Sequence, residues 1–217
     1  MSRPHWSALV LALFTLALPV AGQETSINPK RGGVRSLMPR AREIALARSA
    51  APSAVSADAT VLVLTDTGFA VAEAGGNGVT CLVDRSWPTS LEPHCYDKEG
   101  SETILQIRLR EAALRQQGKS EEAIARDIAD GLADGRFRLP SRPAMTYMMS
   151  KGQMLIGDDG QAAGNWRPHL MIYYPWLTTA DVGGASIASG IVVDPGRPTS
   201  NIMIVVRDFV DLAAGSP

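Results

Sequence analysis

Three β-rich runs, Val61–Thr65, Phe69–Ala74 and Val79–Asp84, follow one another with almost no chain between them. Asp66-Thr67-Gly68 joins the first to the second, and Gly75-Gly76-Asn77-Gly78 joins the second to the third. Glycine and Asn-Gly supply the positive φ values that tight hairpins need, and links this short force antiparallel neighbours. The expected product is a three-stranded meander. Side chains alternate across a strand, so Val79, Cys81 and Val83 share one face, and Thr80, Leu82 and Asp84 share the other.

What flanks these runs extends the plan. Pro39 suits the first turn of a helix, and Ala41, Ile44, Ala45 and Arg48 recur at helical spacing before Pro52. Residues 85–100, with two prolines and Trp87, read as a loop. Ser101 can cap a helix that runs to about Gln117, with Leu105, Leu109 and Ala112 as its buried stripe. Ser120 caps a second helix, with Glu121 and Glu122 at its positive end and Ile124, Ile128 and Leu132 on one face. The short link between the two predicts a helical hairpin. Strands return at Met145–Met149, Met154–Ile156, His169–Tyr174, Ile187–Val193 and Ile202–Val206. The last two are nearly continuous apolar runs, as expected of central strands. Asp194-Pro195-Gly196 reads as the turn between them. Segregated strands and helices predict an α+β fold, a largely antiparallel sheet (the meander plus C-terminal strands) with the helical hairpin packed on it.

The first residues set the compartment. Arg3 and His5 precede an apolar run from Ala8 to Leu18, Pro19 ends it, and Val20 and Gly22 are the small residues of a cleavage site. That pattern is a secretory signal peptide, and the run is too short to span a bilayer. Residues 1–22 are therefore expected to be removed, 23–36 to form a flexible arm, and 37–217 to fold as a single domain in the periplasm or outside the cell. Lys30, Arg31, Arg35, Arg40, Arg42 and Arg48 crowd the arm and the first helix, with only Glu43 against them, and are read as solvated. With 21 Lys and Arg against 22 Asp and Glu, nothing in the charge calls for nucleic acid. No later stretch is long and apolar enough for a transmembrane segment.

Cys81 and Cys95 are the only cysteines. An even count in an oxidising compartment predicts a disulfide; two buried free thiols, or metal or redox use, are the alternatives. His94 and His169, with Asp97 or Glu92 nearby in sequence, are candidates for acid–base or metal chemistry because imidazole exchanges protons near neutral pH. No zinc-ligand spacing is present, and no cofactor motif. Asp66-Thr67-Gly68 is similar to the catalytic loop of aspartic peptidases. That chemistry needs two such loops, and a hairpin turn accounts for the same residues. Ser189-Gly190 lies in a glycine-rich stretch without the elements of a phosphate loop. Trp166, Tyr173, Tyr174 and Trp176 gather aromatic surface near His169, so Trp166, His169, Tyr173 and Trp176 are the candidate ligand-pocket residues.

Four strings stand out together: residues 77–83 (NGVTCLV), 95–97 (CYD), 145–150 (MTYMMS) and 168–175 (PHLMIYYP). Their combination resembles a group of uncharacterised exported bacterial proteins over about residues 40–206. The resemblance implies one exported domain and no particular activity. The leading expectation is a non-catalytic exported domain that binds a small molecule or an envelope protein partner. The alternatives are a hydrolase, metal-dependent or not, that uses His94 and His169, and a structural envelope protein.

Overall fold

The computed structural model describes residues 37–87, 89–156, 161–162, 167–184 and 191–212. The expected leader and arm lie outside them, as do Trp166, Ser189 and Gly190. In chain order the elements are α1 (Arg40–Arg48), the single turn α2 (Ser53–Ser56), β1 (Thr60–Thr65), β2 (Gly68–Glu73), β3 (Thr80–Asp84), β4 (Glu92–Tyr96), α3 (Lys98–Glu102), α4 (Ile104–Gln116), α5 (Glu121–Ala133), β5 (Ala144–Met148), β6 (His169–Tyr173), β7 (Ile191–Asp194) and β8 (Asn201–Val205). The strands form one sheet in the order β2-β1-β3-β4-β5-β6-β8-β7. Every neighbouring pair is antiparallel except β1–β3. The fold is α+β.

The expected meander does not form. β1 and β2 make a hairpin closed by the Thr65–Gly68 pair, but β3 lies on the other side of β1 and runs parallel to it, Thr60 beside Thr80. The glycines that suggested a second hairpin serve a different need. Gly75 presses so closely on the chain before β1 that an added Cβ would stand 2.3 Å from the carbonyl carbon of Ala59. Gly76 donates to Asp58, and Asn77 Nδ2 donates to the Val55 carbonyl at 2.8 Å. Residues 74–79 thus wrap around the start of β1. They need the missing side chain for close approach, which glycine allows as readily as it allows a positive φ.

The stretch expected as a loop at 85–100 contains β4, all five of whose residues are buried. Pro93 cannot donate to a ladder. It pairs with Val83 of β3, where the β4–β5 ladder, confined to Cys95–Tyr147 and Tyr96–Thr146, has ended. The helix expected from Ser101 begins earlier, at Lys98, and breaks at Thr103 (φ −126°, ψ −81°) before α4 starts. Among the described strands β7 is the last of the sheet rather than a central one, and most β8 side chains are only half-buried. Around 154–156, among the described residues, there are only isolated bridges, Leu91–Met154 and Ile156–Ala162.

Alternation along the strands divides the core. Val61, Cys81, Val83 and Cys95 pack beneath Leu46, Ala47 and Ala50, the last just beyond the end of α1. From the opposite face Leu62, Leu82, Tyr96, Met148 and Met171 meet Ile104 and Leu105 of α4. The far side of α4, Ile107 and Leu114, packs on Ile124 and Ile128 of α5. Arg110 adds a bidentate pair to Asp127 at 2.8 and 2.7 Å. Burying an apolar side chain such as Ile107 or Ile124 contributes roughly 1.5–3 kcal/mol.

α1 is docked by charge as well as by apolar contact. Its buried residues are Glu43, Leu46 and Ala47, not the face set by Ala41, Ile44, Ala45 and Arg48. Glu43 Oε1 accepts from the Leu64 N–H at 3.1 Å and from Arg85 Nη1 at 3.0 Å. Arg48, read as solvated, instead tethers α1 to the chain around β1 and β2, donating to Ala57 O at 2.9 Å and to Glu73 at 2.7 Å.

Candidate functional site

The sequence candidates separate once their elements are placed. Cys81 and Cys95 are cross-strand neighbours in the β3–β4 ladder, and their sulfurs lie at bonding distance, 2.02 Å. Asp97 stands at the N-terminus of α3, where its carboxylate accepts from the Gly100 N–H at 2.7 Å. That is a helix cap, and the bond ties the carboxylate to backbone rather than to either histidine.

His94 and His169 belong to the α4 face of the sheet. Leu82 is opposite His94, and Met148 is opposite His169. The β4–β5 register, Cys95 opposite Tyr147, carries His94 toward Met148. Two strand spacings separate the histidines, roughly 10 Å between Cα atoms, with Met148 between them. Both are buried, 7% and 3% exposed. Burial drives the His94 imidazole down to about 4; Arg108 and His169 push the same way, while Asp84 and a hydrogen bond to the Glu92 backbone oppose it. Burial also lowers His169, whose Nδ1–H donates to the Arg167 carbonyl at 2.8 Å. Two neutral, enclosed imidazoles are poorly placed to trade protons with a substrate. Among the described residues no three His, Cys, Asp or Glu side chains converge in a way that could hold a metal ion.

The aromatic candidates also part. Tyr173 is buried at the end of β6, its hydroxyl 3.5 Å from Thr146 Oγ1. Trp176 lies on the following loop, 57% exposed, at φ +64°, a value rare for a residue with a Cβ. Its backbone N–H donates to the Arg197 carbonyl at 2.8 Å, and Tyr174 beside it is also exposed. Trp166 lies outside the described residues.

A cavity of about 220 Å³ opens elsewhere, between the β1–β2 turn and α4. Leu64, Phe69, Leu109, Ala112 and Ala113 form its walls, Thr67, Gly68 and Gln116 line it too, and Asp84 is its single charged lining residue. Asp84 Oδ1 accepts from the Arg85 N–H at 2.7 Å. Directly across the ladder is Glu92. Burial, then the Asp84 charge, raise the Glu92 carboxyl, although the Ser86 N–H and hydroxyl donate to it. The sequence signal for this cavity was Ala112-Ala113. Small side chains on the inner side of a helix leave space where a leucine would fill it.

No protein-family model matches the chain, and no curated protein or solved structure is found to be similar to it.

Proposed function

We propose that this is an exported, non-catalytic domain that binds a small molecule in the cavity between the β1–β2 turn and α4. The cavity carries the reading: apolar walls with a few polar groups, one of them a carboxylate, are the usual make-up of small-molecule sites. Burial of both histidines argues against the hydrolase alternative. The leader-like start and the resemblance to exported bacterial proteins support a periplasmic or secreted location, where a disulfide between Cys81 and Cys95 would persist. The test is a fragment screen on the oxidised protein, followed by thermal shift and by NMR of the Gly68, Phe69 and Ala112 signals. The expected result is at least one binder that perturbs those signals. Hydrolysis of a generic substrate, abolished by His94→Gln or His169→Gln, would overturn the reading.

A second reading, an envelope protein partner, is favoured by one observation: Tyr174 and Trp176 are exposed together on the loop after β6. Pull-down from envelope extracts with the wild type and Trp176→Ala separates the two readings. A complex lost with the tryptophan would favour the partner.

A further inference from the structure

We infer that the cavity takes a protonated amine carried by a single aromatic ring on a short chain. The inference rests on the cavity being a binding site and adds the class of ligand. Size sets the first limit. An apolar cavity of about 150 Å³ holds one benzene, so about 220 Å³ admits a ring and a few further atoms. The walls set the second. Leu64, Phe69 and Leu109 offer apolar and aromatic surface to a ring, and the small Ala112 and Ala113 leave room for it.

Charge sets the third limit. Asp84 lines the cavity with one oxygen engaged by the Arg85 N–H. No Lys or Arg among the described residues lies within ion-pair distance of it; Arg115 feels its charge only from further off. Across the ladder stands Glu92, a second acid. Like charges directly opposite one another in a sheet repel. A cation beside Asp84 relieves that repulsion and gains a charge-assisted hydrogen bond, whereas an anion would add to it. The order of affinity is therefore amine, then neutral isostere, then carboxylate.

The experiment measures binding of 2-phenylethylamine, 2-phenylethanol and phenylacetate to the oxidised protein and to Asp84→Asn, by calorimetry and NMR. The asparagine oxygen still accepts from the Arg85 N–H, so the variant keeps that local hydrogen bond. The amine is expected to bind wild type at least tenfold more tightly than the alcohol, phenylacetate to bind weakest, and Asp84→Asn to erase the gap between amine and alcohol. Ala113→Leu, which fills the cavity, is expected to weaken all three. Equal binding of amine and alcohol to wild type, or an amine preference that survives in Asp84→Asn, would overturn the inference while leaving the cavity as a site. Binding unaffected by Ala113→Leu, or no binding of these compounds and of any fragment, would overturn the site itself and the inference with it.

Discussion

Cys81 and Cys95 face each other across the β3–β4 ladder with their Cα atoms 4.1 Å apart, beneath α1. A bridge here closes a loop with a sequence separation of 14 that holds Arg85 and Glu92. A cross-link over a loop of that size stabilises by about 3 kcal/mol on the loop-entropy argument. Replacement of both cysteines by alanine is expected to lower the unfolding free energy by about 2–4 kcal/mol in urea. Alkylation of the protein, isolated and denatured without reductant, should find no free thiol.

Glu43 and Arg85 form an ion pair in which each side chain is 1% exposed. Removing one partner strands the other charge in the core. Glu43→Leu or Arg85→Met alone is expected to cost about 3–5 kcal/mol. The double variant should lose less than the two single losses added together, because no charge is then left buried. A double-mutant cycle by urea unfolding measures the difference; strict additivity would mean the pair does not act as one unit.

Stability should rise with pH between about 4 and 6.5. His94 binds its proton near 6.5 when unfolded and near 4 when folded, held down chiefly by burial. Between those values the unfolded chain carries more protons, so its contribution is complete above about 6.5 and is lost as pH falls toward 4. The full span is on the order of 3 kcal/mol. His169 acts in the same direction. Glu92 acts oppositely: its carboxyl is raised, so its contribution is complete below 4.5 and falls as pH rises through the folded value. Unfolding free energies measured across this range should show a shallower slope in His94→Gln and a steeper one in Glu92→Gln.

Asp97→Ala should cost about 1 kcal/mol, the value of a lost N-cap, and Asp97→Asn much less, since asparagine caps as well. Neither change should alter ligand binding. A loss of binding in both variants at unchanged stability would place the aspartate in the site instead.

How far the sequence reads into this structure depended on whether a signal was local. The β1–β2 turn at Asp66-Thr67, the helix starting at Ser120 and the alternation that puts Cys81 and Val83 on one face were all legible, because spacing or capping over a few residues encodes them. β4 was not. Glu92, Pro93 and His94 lack a strand's composition and are extended because β3 and the core claim them, a tertiary cause that overrides propensity. The crossover at Gly75 was misread because one residue type answers two needs. Glu43 looked like a solvated counter-charge, since nothing nearby in sequence announces Arg85. The cavity was legible only as an absence of bulk at Ala112 and Ala113, and a void takes its shape from neighbours such as Leu64 and Phe69, far off in the chain.

The carboxylate on α1 leaves the ribosome 42 residues ahead of the guanidinium that neutralises it. Seating the helix without that cation would bury the Glu43 carboxylate with no ion-pair partner, the costly half of a buried pair. A product truncated before Arg85 is therefore left to hold α1 on its sheet by Leu46 and Ala47, against the desolvation of that carboxylate.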